Sequence, residues 1–143
     1  MRSSSYLPQL LTVFVVSAAA AAQSPWGFPL QQSFVATSIN GQMTGDKAPT
    51  LTITRDSRNE QLLVGSGFAG CNRWNGAITL NQSRFGVGTV GTTRMHCADR
   101  MRAETDFLAA LQSVKRWRMD GNTLVLEGDQ TVLVMAPSEA SRR

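Results

Sequence analysis

Short alternating runs, each ended by turn-forming residues, recur along the chain from residue 34 onward. A period of two sends successive side chains to opposite faces of a strand. Thr50-Leu51-Thr52-Ile53-Thr54 shows it most strictly, with β-branched residues set against aliphatic ones. Phe34 to Ile39 alternates until Asn40-Gly41, a hairpin-type dipeptide. Leu62-Leu63-Val64 follows the turn Asp56-Ser57-Arg58-Asn59 and runs into Gly65-Ser66-Gly67-Phe68. Ala77 to Leu80 and Arg84 to Val90 flank the turn Asn81-Gln82-Ser83. Trp117 and Met119 open a strand that turns at Asp120-Gly121-Asn122, and Thr123 to Leu126 and Thr131 to Met135 complete the set. Gln42 to Pro49 and Gly91 to Cys97 read as loops. The pattern predicts an antiparallel sheet of seven or eight strands.

One stretch breaks the rhythm. In residues 99–114, Phe107, Leu108, Leu111 and Val114 fall on a single helical stripe. Asp99 is the expected N-cap, Glu104 and Asp106 suit the positive end of the helix dipole, and Lys115 and Arg116 close the basic end. A helix with one apolar stripe needs a surface to cover, and a curved sheet supplies one. The expected fold is therefore α+β, mainly β: a curved, barrel-like antiparallel sheet wrapped around one amphipathic helix. A length of 143 residues suits one domain.

The ends read differently. Residues 1–22 have the layout of a signal peptide: Arg2, an apolar segment from Leu7 to Val16, and Ala20-Ala21-Ala22 before Gln23. The apolar segment is interrupted by Pro8, Gln9 and Thr12 and is short for a membrane span, and no second such run follows. An uncleaved N-terminal anchor is the competing reading. Residues 23–32, with Pro25, Gly27 and Pro29, read as a flexible lead-in, 33–137 as the domain, and 138–143 as a disordered tail. Export to the periplasm or the medium is the expectation, with no integral membrane segment after cleavage.

The formal charge is +4, and twelve of the fourteen basic residues are arginines, spread from Arg55 to Arg143 once Arg2 is removed. They form no block and few aromatics alternate with them, so a nucleic-acid partner is not indicated. A solvated basic surface is the simple reading, and weak attraction to anionic lipid or polysaccharide the sharper one. The chain has two cysteines, Cys71 and Cys97. In an exported protein an even count favours a disulfide, and closing this loop stabilises by about 3.5 kcal/mol on a chain-entropy estimate. Two buried free thiols are the alternative.

Candidate chemistry is sparse. No nucleophile elbow, P-loop or dinucleotide fingerprint occurs. His96 is the single histidine, and beside Cys97 on an extended chain it would point away from that sulfur, which argues against a Cys71–Cys97–His96 metal site or a Cys–His nucleophile. Asp99, Glu104 and Asp106 could be paired acids, but their place at a helix start explains them more simply, and Glu104 can also anchor to a nearby backbone group or arginine. Trp74 and Trp117 read as core aromatics. No catalytic residue, metal or cofactor is expected.

Ala69-Gly70-Cys71-Asn72-Arg73-Trp74-Asn75-Gly76 is the strongest motif. With Gly67 it is similar to the G-x-x-G-C-N-x-x-x-G element of the META domain, the family of the bacterial heat-shock protein HslJ. Thr92 to Cys97 resembles that family's T-x-M-x-C element. Glu104 to Leu111 resembles its E-x-x-F/Y-L-x-A-L helix, and Gly121 to Leu126 its G-x-x-L-x-L hairpin. Phe34 stands where the opening strand of the family usually has tryptophan. The resemblance implies a β-rich wall around a helix, with Gly67, Gly70, Asn72, Gly76 and Glu104 as structural motif residues. For function it implies links to the envelope, heat shock and drug tolerance. The resulting expectation is a monomeric, non-enzymatic exported protein, stress-related, that binds an envelope protein or an apolar small molecule. A lipocalin-like carrier and an enzyme using Cys71 are the alternatives.

Overall fold

The computed structural model describes residues 23–139. The expected signal peptide and the last four residues of the expected tail lie outside them. In chain order the elements are β1 (Ser33–Ile39), β2 (Gln42–Met43), β3 (Thr50–Arg55), β4 (Leu63–Phe68), β5 (Arg73–Asn81), β6 (Arg84–Thr92), α1 (Met101–Ser113), β7 (Arg116–Asp120), β8 (Thr123–Glu127) and β9 (Val132–Pro137). All nine strands belong to one antiparallel sheet in the order β2-β1-β3-β4-β5-β6-β7-β8-β9. β9 also pairs with β1, so the wall closes on itself and β2 remains as a flap on β1. The expected fold class holds. The ninth strand is β2, which lies in the stretch read as loop, two residues too short to show a period of their own.

Closure needs strands that bend. In β1 the register shifts between Ala36 and Ser38, leaving Thr37 as an extra residue opposite β9, and Thr37 Oγ1 donates to Val134 O at 3.1 Å. Phe34 and Ala36 before the bulge are buried in the core, and Ile39 after it is partly buried at the core's edge. A second shift, between Gly76 and Ile78, bends β5 against β6.

Inside the ring lie Phe34, Leu51, Ile53, Trp74, Phe107, Leu111, Leu124, Leu126, Leu133 and Met135, all fully buried. Trp74 needs the most room, and β4 makes it by presenting glycine inward. Gly67 stands opposite Trp74, and a Cβ there would sit 2.1 Å from Thr50 O, the carbonyl that accepts the Trp74 indole N–H at 3.0 Å. Close approach of two backbones is what permits that bond.

Three sequence expectations need correction. The lead-in 23–32 packs as part of the domain: Phe28 is 1% and Leu30 4% exposed, and Phe28 meets Trp117 edge-on with centroids 5.0 Å apart. Two apolar residues flanking Pro29 show no periodicity, yet each buries about 2 kcal/mol of hydrophobic surface energy. The helix starts at Met101, and Asp99 lies in the preceding turn with Arg100 at the cap position and no side-chain cap bond. At the other end no basic residue occupies the last turn: Val114 is already extended, and Arg116 opens β7. Its backbone must turn early so that Val114 can enter the core and Lys115 N can donate to Glu127 O at 2.7 Å.

Lys115 and Asp129 meet at 2.6 Å on the surface, and the hydrogen bond from Lys115 holds the Asp129 carboxyl below its usual range. A lowered folded-state pKa contributes stability above the unfolded value near 3.8, which is lost as pH falls through the lower folded value. Asp129→Asn should therefore be slightly less stable than wild type at neutral pH and converge with it as pH falls below about 4, giving a flatter acid limb, as read by thermal denaturation across pH. Gly67→Ala should destabilise by about 3 kcal/mol in urea titration, since a carbonyl cannot swing aside as a side chain can. Gly86→Ala, where a Cβ meets nothing nearer than 3.8 Å, should change stability by about 0.5 kcal/mol or less.

Candidate functional site

The Gly-Cys-Asn corner joins β4 to β5 and meets the first turn of α1. Gly70 has φ +120°, a conformation L side chains rarely adopt, and packs its α-carbon side against the Glu104 backbone, where a Cβ would stand 3.4 Å from the Glu104 nitrogen. That approach brings the Asn72 amide to the Glu104 carboxyl. Asn72 N donates to Oε1 at 2.7 Å and Asn72 Nδ2 to Oε2 at 3.0 Å. Nδ2 also donates to Met95 O at 3.1 Å, while Oδ1 accepts from Met95 N at 2.6 Å and from Thr93 Oγ1 at 3.0 Å. Every donor and acceptor of the asparagine side chain is thus in use. One residue ties the corner, the segment after β6 and the helix together.

Both groups are buried: Asn72 is 2% and Glu104 6% exposed. Burial of such polar groups costs several kcal/mol unless they are bonded, and here each is. The negative side chain also sits in the first turn of α1, where the helix dipole favours it. Glu104 anchors to a backbone amide and an asparagine and not to an arginine. Cys71 and Cys97 are disulfide-bonded with Cα atoms 5.9 Å apart, a covalent staple beside the same junction. Cys71 therefore holds no thiol in this state. Gly76 lies within β5 opposite Gly65, where a Cβ would press on Thr89 O at 3.3 Å.

The remaining candidates do not converge. Asp99 and Asp106 are exposed, and Asp106 faces Arg102 at 4.0 Å while Glu104 turns inward. His96 is exposed beside the bonded Cys97. Among the described residues no group of three or more His, Cys, Asp or Glu gathers around a point that could hold a metal. Trp74 is core as expected. Trp117 is only half-buried, and its indole N–H donates to Gln82 O at 2.8 Å.

The structure adds one feature that no motif marks. A groove of about 800 Å³ runs between the outer face of α1 and the flap formed by β2 and the loop up to Pro49. Ala103, Ala109 and Ala110 form its helical wall, and Ile39, Met43 and Pro49 the opposite one, with Lys47, Arg100, Asp46 and Asp106 among its polar groups. Met43 is 79% exposed. Gly70 also lines the groove, so the corner that packs on the Glu104 backbone borders it. Small residues at 103, 109 and 110 were the available signal, but alanine in a helix is too common to be read as a wall.

A ring of antiparallel strands around one helix, fastened by the Asn72–Glu104 hydrogen bonds with a disulfide beside them, defines the class. The META-domain family model matches residues 29–140, and the chain belongs to that family. Two solution NMR structures are similar in fold. One, of a protein from Burkholderia xenovorans, is 26% identical with a TM-score of 0.62, covering 77% of this chain and 83% of its own. The other, also titled only as a protein, is 24% identical with a TM-score of 0.55, covering 75% and 90%. No curated protein sequence matches the chain. Among the described residues no helix is long and apolar enough to cross a membrane. The disulfide is compatible with an extracytoplasmic protein.

If Asn72 and Glu104 act as one unit, Asn72→Ala and Glu104→Ala should each cost about 2–4 kcal/mol in urea denaturation, because each leaves buried partners unbonded. The double variant should cost less than the sum, by about 1–3 kcal/mol. Glu104→Gln should cost about 1–3 kcal/mol, since its amide would face that of Asn72.

Proposed function

We propose that this META-domain protein is a non-enzymatic, exported envelope protein that works by binding, with the groove beside α1 as the place where it takes an apolar ligand or an apolar segment of a partner protein. The groove is the observation that carries this reading. Its volume of about 800 Å³ falls within the range of roughly 300–1,000 Å³ usual for ligand sites, and its lining mixes apolar walls with a few charged groups. Periplasmic or secreted location, a monomeric state and a stress-related role belong to the same proposal; the first draws support from the disulfide and the signal-like residues 1–22. A lipocalin-like carrier would use the barrel interior instead, and there Trp74, Phe34, Phe107 and Leu111 take up the space. An enzyme using Cys71 would first have to open the Cys71–Cys97 bond.

Titration with a hydrophobic fluorescent dye, alongside native mass spectrometry of protein recovered from envelope extract, tests the reading. Saturable dye binding is expected, weakened at least tenfold by Ala103→Phe, which fills the groove from an exposed helix position while the melting temperature stays close to wild type. Dye binding that never saturates, or that Ala103→Phe leaves intact, would remove the groove from consideration.

A further inference from the structure

The ring closes most thinly between β6 and β7, where one pair, Arg84 opposite Arg116, carries the register. Backbone bonds lie on either side of it: Phe85 N donates to Lys115 O at 2.9 Å and Trp117 N to Ser83 O at 2.9 Å. The two arginines thus occupy a non-hydrogen-bonded position, the one in which opposed side chains leave the same face and stand closest. Both are exposed. Like charges so placed repel, and an acid nearby would relieve them. Glu127 lies across from Arg116, yet its Oε1 accepts Arg118 Nε at 3.1 Å, and Asp129 accepts from Lys115 at 2.6 Å, so that Arg116 acts on Asp129 only through a weaker, unbonded attraction. Among the described residues no ion pair or side-chain hydrogen bond holds Arg84 or Arg116. The strands cannot drift apart to separate them, because the Trp117 indole is bonded to Gln82 O at 2.8 Å and packed on the buried Phe28.

We propose that Arg84 and Arg116 form a site for a phosphate group, either free phosphate or the headgroup of a phosphomonoester lipid. Two guanidinium forks on one face offer several N–H donors to a tetrahedral oxyanion. A phosphomonoester carries close to two negative charges at neutral pH and neutralises both arginines, where a single carboxylate would leave one uncompensated. Binding sets the anion between two cations that the strand pairing keeps on one face. This site lies apart from the groove, and neither depends on the other.

The test is a ¹⁵N-resolved NMR titration of the protein with inorganic phosphate at ionic strength held constant with sodium chloride. Saturable shifts are expected at the Arg84 and Arg116 side-chain N–H groups and at the Trp117 indole. Arg84→Gln and Arg116→Gln should each weaken binding at least tenfold, and Arg58→Gln, on the exposed turn after Asp56, should not. Arg84→Glu keeps the strands together by opposing an acid to Arg116, and should abolish the phosphate shifts in a folded protein. Sedimentation with phosphatidylcholine vesicles containing phosphatidic acid separates the two sources. Pelleting lost in Arg84→Gln and Arg116→Gln assigns the site to a lipid headgroup, and saturable phosphate shifts without pelleting assign it to the free anion. Shifts that never saturate, or that survive in Arg84→Glu, overturn the site.

Discussion

The bond between Asn72 and Glu104 is the contact on which the arrangement turns. A helix of thirteen residues with a single apolar stripe has little reason to hold one azimuth against a curved wall, because hydrophobic contact is not directional. Two hydrogen bonds from one asparagine to one carboxyl supply the direction. They are available only because Gly70 lets the corner come up against the helix backbone. The disulfide holds the neighbouring segment where the Met95 backbone can complete the asparagine's bonding. Taken singly, none of these groups would be stable in the interior; together they leave no buried side-chain donor or acceptor unbonded among the described residues.

Fixing the helix has consequences on both of its faces. Inward, Phe107 and Leu111 complete a core with Trp74, and the interior is taken up by side chains. Outward, the small residues of α1 face the β2 flap and leave a groove between them. The filled inside and the open outside come from the same placement. For that reason a binding role fits the outer face of the molecule better than its middle. The motif that looked most like chemistry, Gly-Cys-Asn, is the fastening, and the candidate binding surfaces lie beside it.

The parts of the molecule differ in how plainly the chain announces them. β3 was legible because Leu51 and Ile53 alternate with threonines, and the stripe of α1 because Phe107, Leu111 and Val114 repeat with the helical period. Phe28 and Leu30 were not, since a bury-and-return segment around a proline has no period. Nor was β2, whose pairing to β1 follows from the Asn40-Gly41 turn folding back and not from any preference of Gln42 or Met43. The helix start was misplaced because Asp99 suits a cap by type, while the cap position went to Arg100. The groove had no signal beyond a few helical alanines, too common to read: its two walls are about sixty residues apart in the chain, and nothing local in either one refers to the other.

From residues alone came the class of fold, the family likeness, the pairing partners available to the two cysteines and the five motif positions Gly67, Gly70, Asn72, Gly76 and Glu104. These are properties of short windows, set by periodicity, turn chemistry and residue type. Tertiary structure decided that β9 returns to β1, that Glu104 faces Asn72 and not an arginine, that Arg84 stands against Arg116, and that a groove opens beside α1. Each of those depends on where distant segments come to rest, which is set by bulges, by one left-handed glycine and by the competition of many side chains for the same interior. That competition has no trace in any single stretch of the chain.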